Sequence, residues 1–170
     1  GYQYWALGHV HTREDTTHLD PPIIFPGNIQ GRHIRETGAK GCELVHVDEA
    51  GNVTPDFRPL DVMRWAHLRV DCTSAKSPED MLDAFSHQLQ ANIEAADGLP
   101  LAARVTLHGA TSAHGKLLVN PQEWTSHIRA VAIDVSAAST WIEKVEFRTS
   151  PAGSLDQLAA EGPIAELVHY

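Results

Sequence analysis

Apolar and polar residues follow two different rhythms along this chain, one before Leu60 and one after it. In the first stretch the apolar runs are short and bounded by Gly and Pro. Residues 2–7, ending in "YWAL" and closed by Gly8, read as a core strand that stops in a turn. In "DPPIIFPGN" the run Ile23 to Phe25 is hemmed by prolines and can form only a brief strand. "GCELVHVD" (residues 41–48) alternates as a strand, "EAGN" has hairpin-turn chemistry, and "VTPDFRPL" leads back. Residues 1–60 carry no helical stripe to cover a sheet, so their strands are expected to complete a larger sheet whose other members are missing. The start at Gly1, within a few residues of a strand, is likewise expected of a piece excised from a longer protein. Apolar surface left uncovered by the cut would then favour a non-native oligomer.

After Leu60 the periods lengthen. "MRWAHLRVD" (residues 63–71) places Ala66, Leu68 and Val70 on one strand face. The next segment has Ser77 as N-cap, Pro78 at the first helical position and Asp80 three residues after the cap. It then carries Leu82, Phe85, Leu89 and Ile93 at helical spacing, and Gly98 and Pro100 end it. "LAARVTLHG" is a second strand with Ala103, Val105 and Leu107 inward. "NPQEWTSHIRAVAIDV" repeats the helix signature from Asn120 through Trp124, Ile128, Val131 and Val135, and "WIEKVEFR" is a third strand. Between the second strand and second helix, "HGATSAHGK" (residues 108–116) reads as a polar, flexible loop, either an ordinary surface loop or a contact to DNA. "SLDQLAAE" and "PIAELVHY" are expected to form short helical turns. The predicted fold class is α+β: residues 1–60 supply strands, and residues 63–170 hold a β-α-β-α-β unit whose two helices cover one face of a small sheet. The boundary falls near residues 60–62.

Composition narrows the function. With 170 residues, 42% hydrophobic and 21% charged, the chain can bury a core of its own. A net charge of -9 excludes bulk electrostatic attraction to nucleic acid, so any DNA contact must be local. Cys42 and Cys72 stand 30 residues apart without a CxxC, as expected of reduced, packed thiols in a cytoplasmic protein, and no apolar run is long enough for a membrane span.

Two places carry candidate chemistry. In "GHVH" (residues 8–11) His9 and His11 are two apart; in an extended segment both imidazoles leave the strand end on one side, with Gly8 letting the backbone turn beneath them. That geometry suits two metals about 3.5–4 Å apart, each taking one imidazole. A turn of histidines without metal has the same spacing, and Glu14, Asp15 and Asp20 nearby show no ligand spacing. A simple metal carrier is a poor alternative, because two ligands on one turn bind loosely and unselectively. In "GRHIRE" (residues 31–36) Arg32, His33 and Arg35 gather three potential phosphate donors after a Pro-Gly turn. The competing reading is a solvated turn in which Glu36 and nearby acids hold the arginines. The isolated His18, His46, His67, His87, His108, His127 and His169 suggest surface or packing roles.

The longer pattern is more specific. "YWALGHVH", followed by "PPIIFPGNIQGRHIRETGAKGCELVHVD", resembles the last motif region of the calcineurin-like metallophosphoesterases. It is most similar to their DNA-repair exonuclease branch, with the SbcD-type nuclease subunits and YhaO-type relatives. The resemblance implies a metallophosphoesterase β-sandwich sheet, of which residues 1–60 are the end, followed by a small capping domain over residues 63–170. It implies that His9 and His11 are ligands of a dinuclear divalent metal centre, usually manganese, that hydrolyses phosphodiesters. It implies DNA as substrate, a coiled-coil ATPase of the SMC type as partner, and a homodimer. The family's upstream D-x-H, G-D-x-x-D and G-N-H-[DE] motifs do not occur in this sequence, so the chain is expected to be a C-terminal part, inactive alone and with metal absent or partial. The alternative is a stand-alone, non-catalytic module that binds DNA or protein.

Overall fold

The computed structural model describes residues 1–16 and 18–153, and the helical turns expected over 154–161 and 163–170, with His169, lie outside them. The fold is α+β. Three short strands come first, β1 (Trp5–Ala6), β2 (Glu14–Thr16) and β3 (Ile23–Phe25). β3 sits in the middle, parallel to β1 and antiparallel to β2. The expected strand at Ile23 to Phe25 is found as read. The expected core strand over residues 2–7 is not: β1 has two residues, and Tyr2 and Trp5 are exposed with their rings stacked at a tilt, 4.9 Å apart. Trp5 and Leu7 donate backbone hydrogen bonds only toward β3, through Pro22 O and Ile24 O, and only Ile24 of this sheet is fully buried. Among the described residues the rings of Tyr2 and Trp5 stay exposed, so periodicity alone overstated their burial.

β4 (Gly41–Val47) and β5 (Val53–Pro59) form the expected antiparallel hairpin, with Val47 opposite Val53 at the turn and Gly41 opposite Pro59 at the open end. Asp48 closes the turn by accepting hydrogen bonds from the backbone and side-chain amides of Asn52.

The largest core lies after Leu60. β6 (Arg64–Asp71), β7 (Leu101–Thr111) and β8 (Thr140–Pro151) form a parallel sheet in that order. Helices α1 (Pro78–Ala95) and α3 (Pro121–Ser136), with the short α2 (His114–Val119), cover one face. Register explains the core: Leu68, Val105 and Val145 lie in one row, and Val70, Leu107 and Phe147 in another. Against these pack Met81, Phe85 and Leu89 of α1 and Ile128 and Ala132 of α3. Burying each large apolar side chain contributes about 1.5–3 kcal/mol. Both helix starts follow the sequence. Ser77 and Asp80 form a reciprocal capping box, and the Asn120 side chain accepts the Glu123 N–H. On α1, Phe85 and Leu89 are fully buried as expected, Leu82 and Ile93 pack partly buried against the core, and Met81 is buried beside them.

Residues 108–116 are not the flexible loop expected from their polarity. β7 runs on to Thr111 because β8 pairs with it as far as Pro151, and α2 begins at His114 and buries Leu117. Thr111 is buried yet satisfied: its hydroxyl donates to Ala75 O and accepts the Ala113 N–H. The element order is therefore β-α-β-α-α-β. Among the described residues no helix is long and apolar enough to cross a membrane.

Candidate functional site

The turn after β1 does not continue as a strand. His9 has φ 77°, in the left-handed region, so the alternation that would set His9 and His11 on one side of an extended segment is broken at His9 itself. Both imidazoles are exposed. What holds the turn comes from the segment after β3. The His11 carbonyl accepts from Asn28 N–H at 3.3 Å and from the Nζ of the buried Lys40 at 3.4 Å. Gly27, with φ 79°, lies directly against the His11 backbone. "PGN" and the "K" of "AKG" thus brace the histidine turn from below.

The side chain of His11 is held by Glu36. His11 Nδ1 lies 2.7 Å from Glu36 Oε1, and the carboxylate is 4% exposed although the imidazole is 53% exposed. Three further groups converge on the same carboxylate. Arg32 donates its backbone N–H to Oε2 at 2.8 Å and its Nη2 to Oε1 at 3.3 Å, and His33 Nε2 stands 3.6 Å from Oε1. The Arg32 N–H, then His11, the Arg32 guanidinium and the Asn28 side chain pull the Glu36 carboxyl down to about 2, against the opposing effect of burial. Glu36 is therefore an anion at neutral pH with its lone pairs largely committed.

Of the sequence-predicted residues, the structure gathers His11, Arg32 and His33 around one carboxylate. Arg35 is exposed, and its backbone N–H donates to His33 Nδ1 at 3.2 Å. His9 makes no hydrogen bond or ion pair among the described residues. No group of three or more His, Cys, Asp or Glu side chains among the described residues is arranged to hold a metal ion. The Arg32–Glu36 spacing of four is legible in sequence, but nothing local marks His11 as Glu36's partner across 25 residues, or Lys40 and Asn28 as braces.

This segment is also tied to the start of β6. Gln30 donates to Met63 O and accepts from Val62 N–H, both at 2.9 Å, and Trp65 Nε1 donates to Gly31 O at 3.2 Å. At the entrance to β6, the Asp61 carboxylate accepts from Arg64 Nε at 3.0 Å with its side chain wholly buried.

Comparison with known proteins bears chiefly on the segment that follows, from β6 onward. The model described as metallophosphoesterase YhaO, middle domain, matches residues 65–150, half of the chain. The chain is also 38% identical over 113 residues to a protein of Bacillus subtilis (strain 168) named uncharacterized metallophosphoesterase YhaO. That alignment covers 64% of this chain and 26% of the relative, so the chain spans about a quarter of the relative it matches. The matched region starts within β6 and runs through the parallel sheet and its helices almost to the end of β8. With half its length matched by that model, the chain belongs to the YhaO metallophosphoesterase family.

Proposed function

We propose that this chain is the C-terminal part of a metal-dependent DNA exonuclease of the SbcD-type and YhaO-type branch, acting in double-strand break repair. In this reading residues 1–60 end the phosphoesterase domain and residues 63–170 form the capping domain. The observation that carries it is the His11–Glu36 contact behind the G-H-x-H turn. A carboxylate on one imidazole nitrogen is the usual support of a metal-ligating histidine, and it leaves the other nitrogen for the ion. His11 fits that role, and His9, exposed on the same turn, fits as its companion. They would supply part of a ligand set for two divalent cations, manganese by resemblance. Such a pair, when bound, activates water and clamps the phosphate.

The chain's own residues do the rest. Arg32 is exposed and spends Nη2 on Glu36, which leaves its remaining N–H groups for a phosphate oxygen. His33 and Arg35 add two further donors on the same turn. DNA is the substrate in this reading, with a coiled-coil ATPase of the SMC type and a second copy of the nuclease as partners, all in the cytoplasm.

The test uses the full-length protein with manganese and a linear DNA substrate. His9→Ala and His11→Ala are each expected to lose most of the nuclease activity, and undiminished activity in either overturns that ligand. The 170-residue chain is expected to be inactive by itself, and robust metal-dependent cleavage by the pure chain overturns its reading as an incomplete site.

A further inference from the structure

Two imidazoles border the Glu36 carboxylate, and their hydrogen bonds run in opposite senses. His33 accepts a backbone N–H, from Arg35, on Nδ1 at 3.2 Å. An accepting Nδ1 carries no hydrogen, so in the neutral ring the hydrogen sits on Nε2, the nitrogen 3.6 Å from Glu36 Oε1. Nδ1 of His33 is thereby committed as an acceptor, while Nε2 faces the carboxylate from beyond hydrogen-bond distance. His11 instead turns Nδ1 toward the carboxylate at 2.7 Å. Arg32 Nη2, a pure donor, also lies 3.2 Å from Nδ1, but the carboxylate is nearer, and an anion at 2.7 Å requires a hydrogen on Nδ1, so the neutral ring keeps its lone pair on Nε2. Nε2 of His11 has no protein partner among the described residues. The carboxylate cannot drift: Arg32 N–H fixes Oε2 at 2.8 Å, Arg32 Nη2 lies 3.3 Å from Oε1, and the group is buried beneath an imidazole that is half exposed.

We infer that Glu36 is the positioning residue of this site: its carboxylate holds His11 in the tautomer with hydrogen on Nδ1 and so offers Nε2 outward to a divalent cation. The inference rests on the reading of His11 as a metal ligand. It also separates the two neighbouring histidines, making His11 the ligand and His33 a donor. Glu36 touches neither metal nor substrate; it acts through His11, as supporting carboxylates do.

Two measurements on the whole 170-residue chain test this. Long-range proton–nitrogen NMR correlations at slightly alkaline pH read the tautomer of each neutral histidine. His11 is expected with hydrogen on Nδ1 and His33 with hydrogen on Nε2. Glu36→Gln, which keeps an acceptor, is expected to preserve the His11 tautomer, and Glu36→Leu to release it to the mixture of a free imidazole. Titration with Co2+ alone, followed on the His9 and His11 resonances and on His9 alone in His11→Ala, then reads affinity. Glu36→Leu is expected to weaken it about 10- to 100-fold, with Glu36→Gln in between. Hydrogen on Nε2 of His11 in the unaltered chain overturns the inference. So does a Glu36→Leu or Glu36→Gln series in which neither tautomer nor Co2+ affinity moves. If His11→Ala leaves Co2+ binding unchanged, the ligand reading of His11 falls and the inference falls with it. If His11→Ala abolishes binding while both Glu36 variants bind normally, only the inference falls. Glu36→Gln keeps the test readable if Glu36→Leu fails to fold.

Discussion

Gly27 and His11 are packed backbone to backbone: a Cβ at position 27 would come within 2.9 Å of the His11 carbonyl oxygen and 3.1 Å of Arg13 N. The position also has φ 79°, where any side chain is strained. Gly51, at φ 87° in the β4–β5 turn, has the same kind of dihedral with nothing within 4 Å. Gly51→Ala should therefore cost only the dihedral term, about 1–2 kcal/mol. Gly27→Ala adds a clash with backbone that cannot move aside, and about 2–4 kcal/mol is expected. Urea unfolding of both variants checks the difference, and equal losses would show that the contact on His11 is unimportant. Gly27→Ala, unlike Gly51→Ala, should also shift the His11 resonances.

The region around Gly27 shows where sequence reading stops. The Ser77–Asp80 capping box, the Asn120 cap and the inward faces of β6 and β7 depend on neighbours within a few residues, and each was legible. Trp5 and Tyr2 were misread because their burial depends on a second layer, which no local period encodes. The end of β7 was misread because polar residues suggested a loop, while pairing with β8, a strand some 40 residues further on, decided the matter. At the site, Arg32, His33 and Glu36 share one turn and the sequence placed them together. Glu36 meeting His11, and Lys40 and Asn28 meeting its carbonyl, are long-range contacts that only the folded chain discloses.

The two cysteines should differ sharply toward thiol reagents. Cys72 is fully buried in the parallel-sheet core, and burial pushes its thiol up to about 11. Cys42, half-buried on β4, has no such enclosure. A disulfide-exchange reagent at pH 8 should label one thiol per chain readily and the second only as the protein unfolds. Both reacting at the same rate under native conditions would contradict the buried position. The linkage sign follows. A raised folded-state value means that unfolded Cys72 ionises first, so its contribution is intact below 9.0 and declines as pH rises toward 11.

The α1 cap should give stability the opposite pH dependence. Asp80 accepts from the backbone N–H groups of Lys76 and Ser77, and these bonds hold its carboxyl below the ordinary value of 3.8. A lowered folded-state value means that the unfolded chain takes up the proton first. The contribution of Asp80 is therefore complete above 3.8 and is lost as pH falls through the folded-state value. The stability gap between the unaltered protein and Asp80→Asn should be constant from pH 5 to 7 and shrink below pH 4. A gap independent of pH would mean that the carboxylate charge plays no part in the cap. Ser77→Ala removes the reciprocal half of the box and should cost about 1 kcal/mol across that range.

The last prediction concerns what joins the histidine turn to the hairpin. Arg13, two residues after His11, donates Nε to Glu43 of β4 at 2.5 Å and Nη2 to Asp15 at 2.8 Å, with its guanidinium 4.9 Å from the Phe57 ring centroid. The Glu43 carboxylate is 4% exposed, and its Oε2 is buried without a hydrogen-bond partner among the described residues. Removing Arg13 alone strands a buried anion, which costs more than the pair contributes; removing both partners does not. Because Arg13 is itself about one-third exposed, water moderates the effect, and Arg13→Ala is expected to destabilise by about 1–3 kcal/mol. Arg13→Ala with Glu43→Leu should recover most of that loss, since Leu fills the space without a charge. The double-mutant cycle should therefore show a coupling of about 1–3 kcal/mol. Strictly additive losses would mean that β4 and the segment carrying His11 are held together by packing alone. A recovered double variant whose His11 signals match the unaltered protein would show that this ion pair fastens the sheet to the hairpin, while Glu36 and Lys40 set the histidine turn itself.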